Sequence, residues 1–219
     1  KMKLFVAAGL LVAFSLLHFS FREIGYTSSG IKIDSLRNLY ERPVAQWPKP
    51  NVDSGVKWQE FKALPHVDKN YFAKMEQPEV VLGKNLFFDP ILSGSNQISC
   101  SSCHNPQTSW ADKLSVSIGH DHASGNRNTP SLLNVKEPKS FFWDGRATTL
   151  EDQVKSPIEA HNEMAMNLKE LPKKLNSIKA YKELVKKAYG TDNITFDHVA
   201  KALASFQRTL TSRRSRFDR

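Results

Sequence analysis

The two cysteines of the chain, Cys100 and Cys103, lie three positions apart and are followed at once by His104. Residues three apart face the same side of a helical turn, so both sulfurs can reach the two vinyl groups of one porphyrin. His104 can then turn its imidazole toward the iron as the proximal ligand. This C-x-x-C-H spacing is the pattern of c-type haem attachment, and it predicts one covalently bound haem c.

Two other chemistries use closely spaced cysteines, namely a thioredoxin-like redox pair and half of a zinc site. A thioredoxin-like pair is expected beside a β-α-β unit, and the chain shows no strand-like alternation of useful length. A structural zinc site needs four ligands, commonly with a second cysteine pair, and this sequence has two cysteines in all. We therefore favour haem attachment over both.

The ligand on the other face of the iron would decide between electron transfer and catalysis. The candidates are His120, which follows Gly119 in a flexible loop, and Met164 and Met166 further along the chain. A permanent methionine or histidine is typical of an electron-transfer cytochrome, whereas a removable ligand leaves an open position for peroxide. The residue chemistry alone leaves both alternatives open.

Glu163 and Gln153 are two further polar candidates for the site. A carboxylate in an apolar haem pocket has a raised pKa and can pass protons. Taken in isolation, each side chain would more often lie on the surface.

The elements that must position these residues are helical, which predicts an all-α, cytochrome c-like haem domain with long loops. A helix begins at Pro78 and ends before Asp89-Pro90. Residues 105–145 are rich in glycine and proline and are expected to form loops. Thr148 and Glu151 match a capping box that opens a short helix, which carries Gln153 and stops at Pro157.

Two amphipathic helices complete the expected domain. One places an apolar face on Ile178, Tyr181, Leu184, Val185 and Ala188. The other follows a Thr195 cap and places an apolar face on Val199, Leu203, Phe206 and Leu210.

The N-terminal segment resembles an export signal. Lys1 and Lys3 precede an apolar run from Leu4 to Leu17, and no clear cleavage site follows it. We expect residues 1–21 to be a signal peptide or an uncleaved inner-membrane anchor, residues 22–75 a linker and proline-rich arm, and residues 76–219 the haem domain. The bulk of the protein would then lie in the periplasm.

The formal net charge is +9, and lysine and arginine are concentrated after Met166. A basic surface can attract nucleic acid, anionic lipid or an acidic protein. A solvated helical face explains such charge runs more simply, and we expect no nucleic-acid partner.

Several motifs resemble the bacterial dihaem cytochrome c peroxidase family, which includes the MauG-type enzymes. They occur in the family's order over roughly residues 45 to 219. The segments are residues 82–90 (LGKNLFFDP), 99–104 (SCSSCH), 125–134 (GNRNTPSLLN), 142–147 (FWDGRA), 150–153 (LEDQ) and 157–164 (PIEAHNEM).

The resemblance implies a role for each matching residue. His104 would be the proximal ligand of a peroxidatic haem, and His120 the distal ligand that leaves on activation. Gln153 and Glu163 would bind and deprotonate hydrogen peroxide. Trp143 would lie between two haems; the alternative is that it packs in the hydrophobic core. Asn128 would bind a calcium ion between two domains; the alternative is that its amide caps a loop.

The resemblance also implies partners: hydrogen peroxide, a small electron donor such as a cytochrome c or a cupredoxin, and a second copy in a homodimer. Relatives carry a second C-x-x-C-H in a second haem domain, and this chain has no third cysteine. We therefore expect only the N-terminal haem domain here. The alternatives are a single-haem electron-transfer subunit of a membrane-associated complex and a MauG-like enzyme that oxidises a protein.

Overall fold

A computed structural model describes residues 33–58, 69–212 and 215–216 of the chain. The chain divides into two compact units, residues 1–61 and residues 62–219. The expected export segment, residues 1–21, lies outside the described residues. Among the described helices, none combines the length and the apolar character needed to cross a membrane.

The first unit contains a helix that the sequence analysis did not anticipate, α1 (Ile33–Tyr40). An ion pair between Arg37 and Glu41, four residues apart, supports its last turn at 2.9 Å. The indole N–H of Trp47 donates to the carbonyl oxygen of Arg42, and the Trp47 ring meets Tyr40 edge-on at 5.3 Å. The stretch predicted as a linker and proline-rich arm, residues 22–75, thus contains this helix.

The second unit is built from helices and long loops. In chain order the helices are α2 (Tyr71–Met75), α3 (Pro78–Phe88), α4 (Cys100–Cys103), α5 (Leu150–Gln153), α6 (Lys155–Glu159), α7 (Leu171–Asn176), α8 (Lys179–Tyr189) and α9 (Phe196–Arg208). Pairing between extended segments is limited, in the described residues, to three isolated bridges. The mostly helical class expected from the sequence is confirmed.

The core of the second unit lies where α3 crosses α9. Leu82, Leu86, Val199, Leu203 and Phe206 are all essentially inaccessible to solvent. The crossing is close because residue 83 is glycine: a Cβ there would overlap the carbonyl oxygen of Ala202. Burial of these apolar side chains, roughly 1.5–3 kcal/mol each, is what holds the two helices together.

The short helices depart from the sequence prediction in two details. The cap of α5 is Thr149, whose hydroxyl oxygen accepts the backbone N–H of Asp152 at 3.1 Å, and not Thr148. The buried Leu150 sets this register. Pro157 does not end the helical region but lies in the first turn of α6. Backbone N–H groups in the first turn have no acceptor within the helix, so proline loses no hydrogen bond there.

The long helices agree with the periodicity of the sequence. Tyr181 and Val185 of α8 are buried, and α9 begins at the predicted Thr195 cap. Helix α7 was not predicted. Its Lys174 donates to the carbonyl oxygens of Ile91 and Ser93 at 2.7 and 2.9 Å, which ties α7 to the loop that leads into α4.

Candidate functional site

Helix α4 is a single turn that carries both cysteines. It begins after the buried Ser99, whose backbone N–H donates to the hydroxyl of Ser102 at 3.1 Å. Cys100 and Cys103 are half-buried, and neither is in a disulfide. Two free sulfurs on one turn match the spacing argument for attachment to one porphyrin.

The environment of the two thiols disfavours a redox pair. Burial raises the pKa of the Cys100 thiol to about 12, and burial also raises the pKa of Cys103. Reactive cysteine pairs instead have lowered pKa values, because the thiolate is the nucleophile. Nor do the described residues contain a group of three or more histidine, cysteine, aspartate or glutamate side chains suited to a metal ion.

His104 ends α4 and is fixed by a loop carbonyl. Its Nδ1 lies 3.0 Å from the carbonyl oxygen of Trp110. A carbonyl oxygen can only accept, so Nδ1 carries the proton, and in the neutral imidazole the lone pair lies on Nε2. Burial lowers the pKa of the imidazole, which favours the neutral form that ligates a metal.

His120 and Glu163 are brought together by two backbone segments. The backbone N–H of His120 donates to the carbonyl oxygen of Glu163 at 2.9 Å. Gly119 permits this approach, because a Cβ there would overlap the carbonyl oxygen of Asn162. The Nδ1 of His120 is buried without a hydrogen-bond partner, while its Nε2 lies 3.4 Å from a carboxylate oxygen of Asp121. An unpaired buried nitrogen of this kind can coordinate a metal ion.

A second glycine holds the Glu163 segment from the other side. The backbone N–H of Gly94 donates to the carbonyl oxygen of Met164 at 2.8 Å. A Cβ on Gly94 would overlap the carbonyl oxygen of Ala165. The segment is thus packed between the loop before α4 and the loop that carries His120.

Glu163 is an exposed residue, although nearby protein atoms partly desolvate its carboxyl group. Desolvation raises the pKa of Glu163, and the positive charge of Arg146 partly opposes this shift. The negative charge of Glu163 in turn raises the pKa of Cys103, which places the carboxylate in the electrostatic neighbourhood of α4.

Gln153 is half-buried at the end of α5. Helix α5 is tied to α9 by two parallel hydrogen bonds of 2.8 Å from the Arg208 guanidinium to the Glu151 carboxylate. In the described part of the chain no hydrogen bond joins the Gln153 amide to Glu163 or His120. The structure therefore brings the backbones of His120 and Glu163 together, and the catalytic roles of all three residues stay predictions.

Trp143 and Asn128 are neighbours on the surface. The indole N–H of Trp143 donates to the backbone carbonyl of Asn128 at 3.0 Å, and Trp143 is 66% exposed, so it does not pack in the core of the described residues. The Asn128 side chain donates its NH2 to the carbonyl oxygen of Leu114 at 2.6 Å. By contrast, Met164 and Met166 are buried in the hydrophobic core.

The donor set fits a c-type haem on observations of this chain alone. Two cysteines outside any disulfide share one helical turn, the neutral tautomer of His104 has its lone pair on Nε2, and His120 has an unpaired buried nitrogen. A model of the di-haem cytochrome c peroxidase family matches residues 77–219. The chain belongs to this family. Membership implies haem c as the cofactor.

Individual members of the peroxidase family confirm the match. The chain is 41% identical to the methylamine utilization protein MauG of Methylorubrum extorquens over 159 residues, which are 72% of this chain and 44% of that protein. It is 43% identical to cytochrome c551 peroxidase of Nitrosomonas europaea over 138 residues, which are 63% of this chain and 41% of that protein. The chain therefore spans less than half the length of these relatives.

A solved structure of a peroxidase-family member supports the fold. The crystal structure of a MauG-like protein associated with microbial copper homeostasis superposes with a TM-score of 0.62 at 28% identity. The match covers 75% of this chain and 49% of that one.

The sequence did not indicate two residues that lie near the site of this peroxidase-family chain. Trp110 contacts His104 through its carbonyl group, and no motif marks it. Arg146 acts on the pKa of Glu163 and lies within the family motif of residues 142–147, which could have drawn attention to it. Its guanidinium also stacks over Phe142 at 3.5 Å and binds Asp144 at 2.9 Å.

Proposed function

We propose that this chain is the peroxidatic haem domain of an exported bacterial cytochrome c peroxidase. The reaction would convert hydrogen peroxide, two electrons and two protons into two water molecules. The observation that carries the proposal is the backbone hydrogen bond that joins the His120 and Glu163 segments. A small cytochrome c or cupredoxin would deliver the electrons one at a time.

Cys100, Cys103 and His104 would hold the haem, and His120 would occupy its other face in the resting state. When bound, the haem supplies the electron-transfer chemistry that no side chain here provides. His104 would be kept in its ligating tautomer by the Trp110 carbonyl.

Glu163 would move the protons. As a carboxylate it would accept the proton from one peroxide oxygen, and as the acid it would return the proton to the departing oxygen. A raised pKa suits this exchange, because it makes the protonated acid easier to reach than for an ordinary glutamate. The Gln153 amide would orient the peroxide by hydrogen bonding.

The wider organisation follows from the same proposal. Residues 1–21 would export the chain to the periplasm or anchor it to the inner membrane, residues 22–75 would form an arm, and residues 76–219 the haem domain. A second haem domain, on the part of the relatives that this chain does not span, would accept the electrons. Exposed Trp143 would lie toward it, Asn128 would bind calcium at the boundary, and the enzyme would be a homodimer.

A MauG-like enzyme that oxidises a protein is the second candidate. The similarity to two proteins named MauG, at 41% and 42% identity, favours it. A single-haem electron-transfer subunit is less well supported, because it assigns no role to the backbone contact between His120 and Glu163.

Replacement of Glu163 by glutamine tests the peroxidase proposal in the haem-loaded protein. We expect Glu163→Gln to lower the rate constant for peroxide turnover by about 10²–10⁴-fold, since the amide cannot accept the proton. Stopped-flow spectroscopy of the haem at rising peroxide concentrations would measure the rate.

Glu159→Gln is the matched control, because Glu159 is an exposed carboxylate four residues earlier in the same region; it should leave the rate unchanged. Equal turnover by wild type and Glu163→Gln would refute the role of Glu163. A haem-loaded wild type whose haem spectrum does not respond to peroxide would favour the electron-transfer alternative.

A further inference from the structure

The turn that follows α4 has an unusual backbone. Ser109 and Trp110 are consecutive residues with φ angles of 60° and 61°, in the left-handed region. For residues with a side chain this conformation is unfavourable, because Cβ approaches the following carbonyl oxygen. Such residues persist only where their surroundings fix them, and they often mark functional positions.

Hydrogen bonds close this turn at residues 105–111. The backbone N–H of Trp110 donates to the carbonyl oxygen of Asn105 at 2.8 Å, and the N–H of Asn105 donates to Ala111 at 3.3 Å. The hydroxyl of Ser131 donates to the carbonyl oxygen of Ser109. The two left-handed residues orient the Trp110 carbonyl so that its oxygen accepts the Nδ1–H of His104.

The Trp110 indole fastens the turn to the helical core. Its ring packs against Phe87, Phe206 and Phe88 at centroid distances of 5.7, 6.0 and 6.2 Å. Phe87 lies on α3 and Phe206 on α9, and both are essentially inaccessible to solvent. Aromatic contacts of this kind stabilise a fold beyond the area that they bury, and here they oppose the backbone strain of the turn.

We propose that Trp110 is a positioning residue for the proximal ligand. Its indole, held between α3 and α9, keeps the left-handed turn in place, and the turn keeps the Trp110 carbonyl on the Nδ1–H of His104. This hydrogen bond makes the imidazole a more basic ligand and thereby lowers the reduction potential of the haem. The inference rests on the proposed ligation of haem by His104 and is independent of peroxide turnover.

The test compares Trp110→Ala and Trp110→Phe with wild-type Trp110 in the haem-loaded protein. All three carry His120→Gly, so that the sixth position is open. The measurements are the iron–histidine stretching band of the ferrous haem in resonance Raman spectra and the midpoint potential. Trp110→Ala should lower the stretching frequency and shift the potential to more positive values. Trp110→Phe, which refills the aromatic cluster, should restore both toward wild type.

Phe72→Ala is the matched control. It removes an exposed ring of α2 that packs on Tyr71 and not on Trp110, so both readouts should stay at their wild-type values. The proposal is overturned if Trp110→Ala changes neither readout, or if Phe72→Ala changes both as much.

If Trp110→Ala does not accumulate with haem, Ser131→Ala replaces it, since that change loosens the same turn from the opposite side. A smaller shift in the same direction supports the proposal, and no shift overturns it. Failure of the proposed ligation by His104 and failure of the proposed role of Trp110 also give different results. Absence of any iron–histidine band with wild-type Trp110 contradicts the proposed ligation by His104, whereas a band that no substitution moves contradicts only the role of Trp110.

Discussion

Single glycines determine how closely the residues of the site approach one another. Gly119 lets the His120 loop lie on the backbone of Asn162 and Glu163, and Gly94 does the same on the other side of that segment. A side chain at either position would separate backbones that are now hydrogen bonded. The contact between His120 and Glu163 therefore depends on residues that carry no chemistry themselves.

Gly119→Ala should displace His120 from Glu163, because the added methyl group overlaps the Asn162 carbonyl oxygen. We expect overpacking to lower the free energy of unfolding by roughly 1–3 kcal/mol. The ligand-sensitive absorption bands of the haem should also change.

Gly125→Ala is the control for this substitution, since a Cβ at Gly125 meets only ordinary contacts. Denaturant unfolding and absorption spectra of the two variants provide the comparison. An unperturbed Gly119→Ala protein would contradict the close approach of the two segments.

Hydrogen bonds between elements hold the helices that carry the site. Tyr181 of α8 donates its hydroxyl to the carboxylate of Asp89, at the end of α3, with a distance of 2.6 Å. Tyr181 is buried, and both desolvation and this hydrogen bond raise its pKa. The pair therefore fixes α8 against the loop that leads to the cysteines.

Tyr181→Phe should lower the free energy of unfolding by about 1.5–3 kcal/mol, the usual range for a hydrogen bond to a charged group. The raised pKa in the folded state means that this stability is complete below pH about 10, where tyrosine in the unfolded chain is protonated. It is lost as the pH rises further, because the unfolded chain ionises first.

The difference between wild type and Tyr181→Phe should thus shrink above that pH. Urea unfolding across the alkaline range measures it, with Tyr71→Phe on α2 as a control. A difference that grows with alkaline pH would contradict the assigned hydrogen bond.

Sequence periodicity located the long elements better than the short ones. Helices α3, α8 and α9 have apolar faces and recognisable ends at Pro78, Asp89 and Thr195. Helices α1, α2 and α7 have only 8, 5 and 6 residues, which is too few for periodicity to be distinctive. The position of the α5 cap depends on the burial of Leu150, and burial is a tertiary property.

The site shows the same division between what spacing predicts and what packing decides. The C-x-x-C-H motif identified Cys100, Cys103 and His104 directly. The Trp110 carbonyl escaped notice, because its place on His104 depends on two left-handed residues that no sequence pattern requires. The roles of Gln153, Trp143 and Asn128 remain predictions from family resemblance.

At the scale of the whole molecule, the basic excess agrees with a solvated helical surface. Several lysines after Met166 lie exposed and pair with acidic neighbours: Lys173 with Glu170, Lys179 with Glu183, Lys182 with Asp192, and Lys201 with Asp197. Exposed ion pairs of this type contribute little to stability. The charge thus gives no separate indication of a nucleic-acid function.

The covalent attachment of haem is the central claim about the whole molecule. It is tested most directly by mass spectrometry of a protease digest of the protein, purified from a host that performs c-type haem attachment. We predict that the peptide containing residues 100–104 carries one haem and that its thiols resist alkylation in the unfolded protein. A peptide without haem, with both cysteines open to alkylation, would contradict the account.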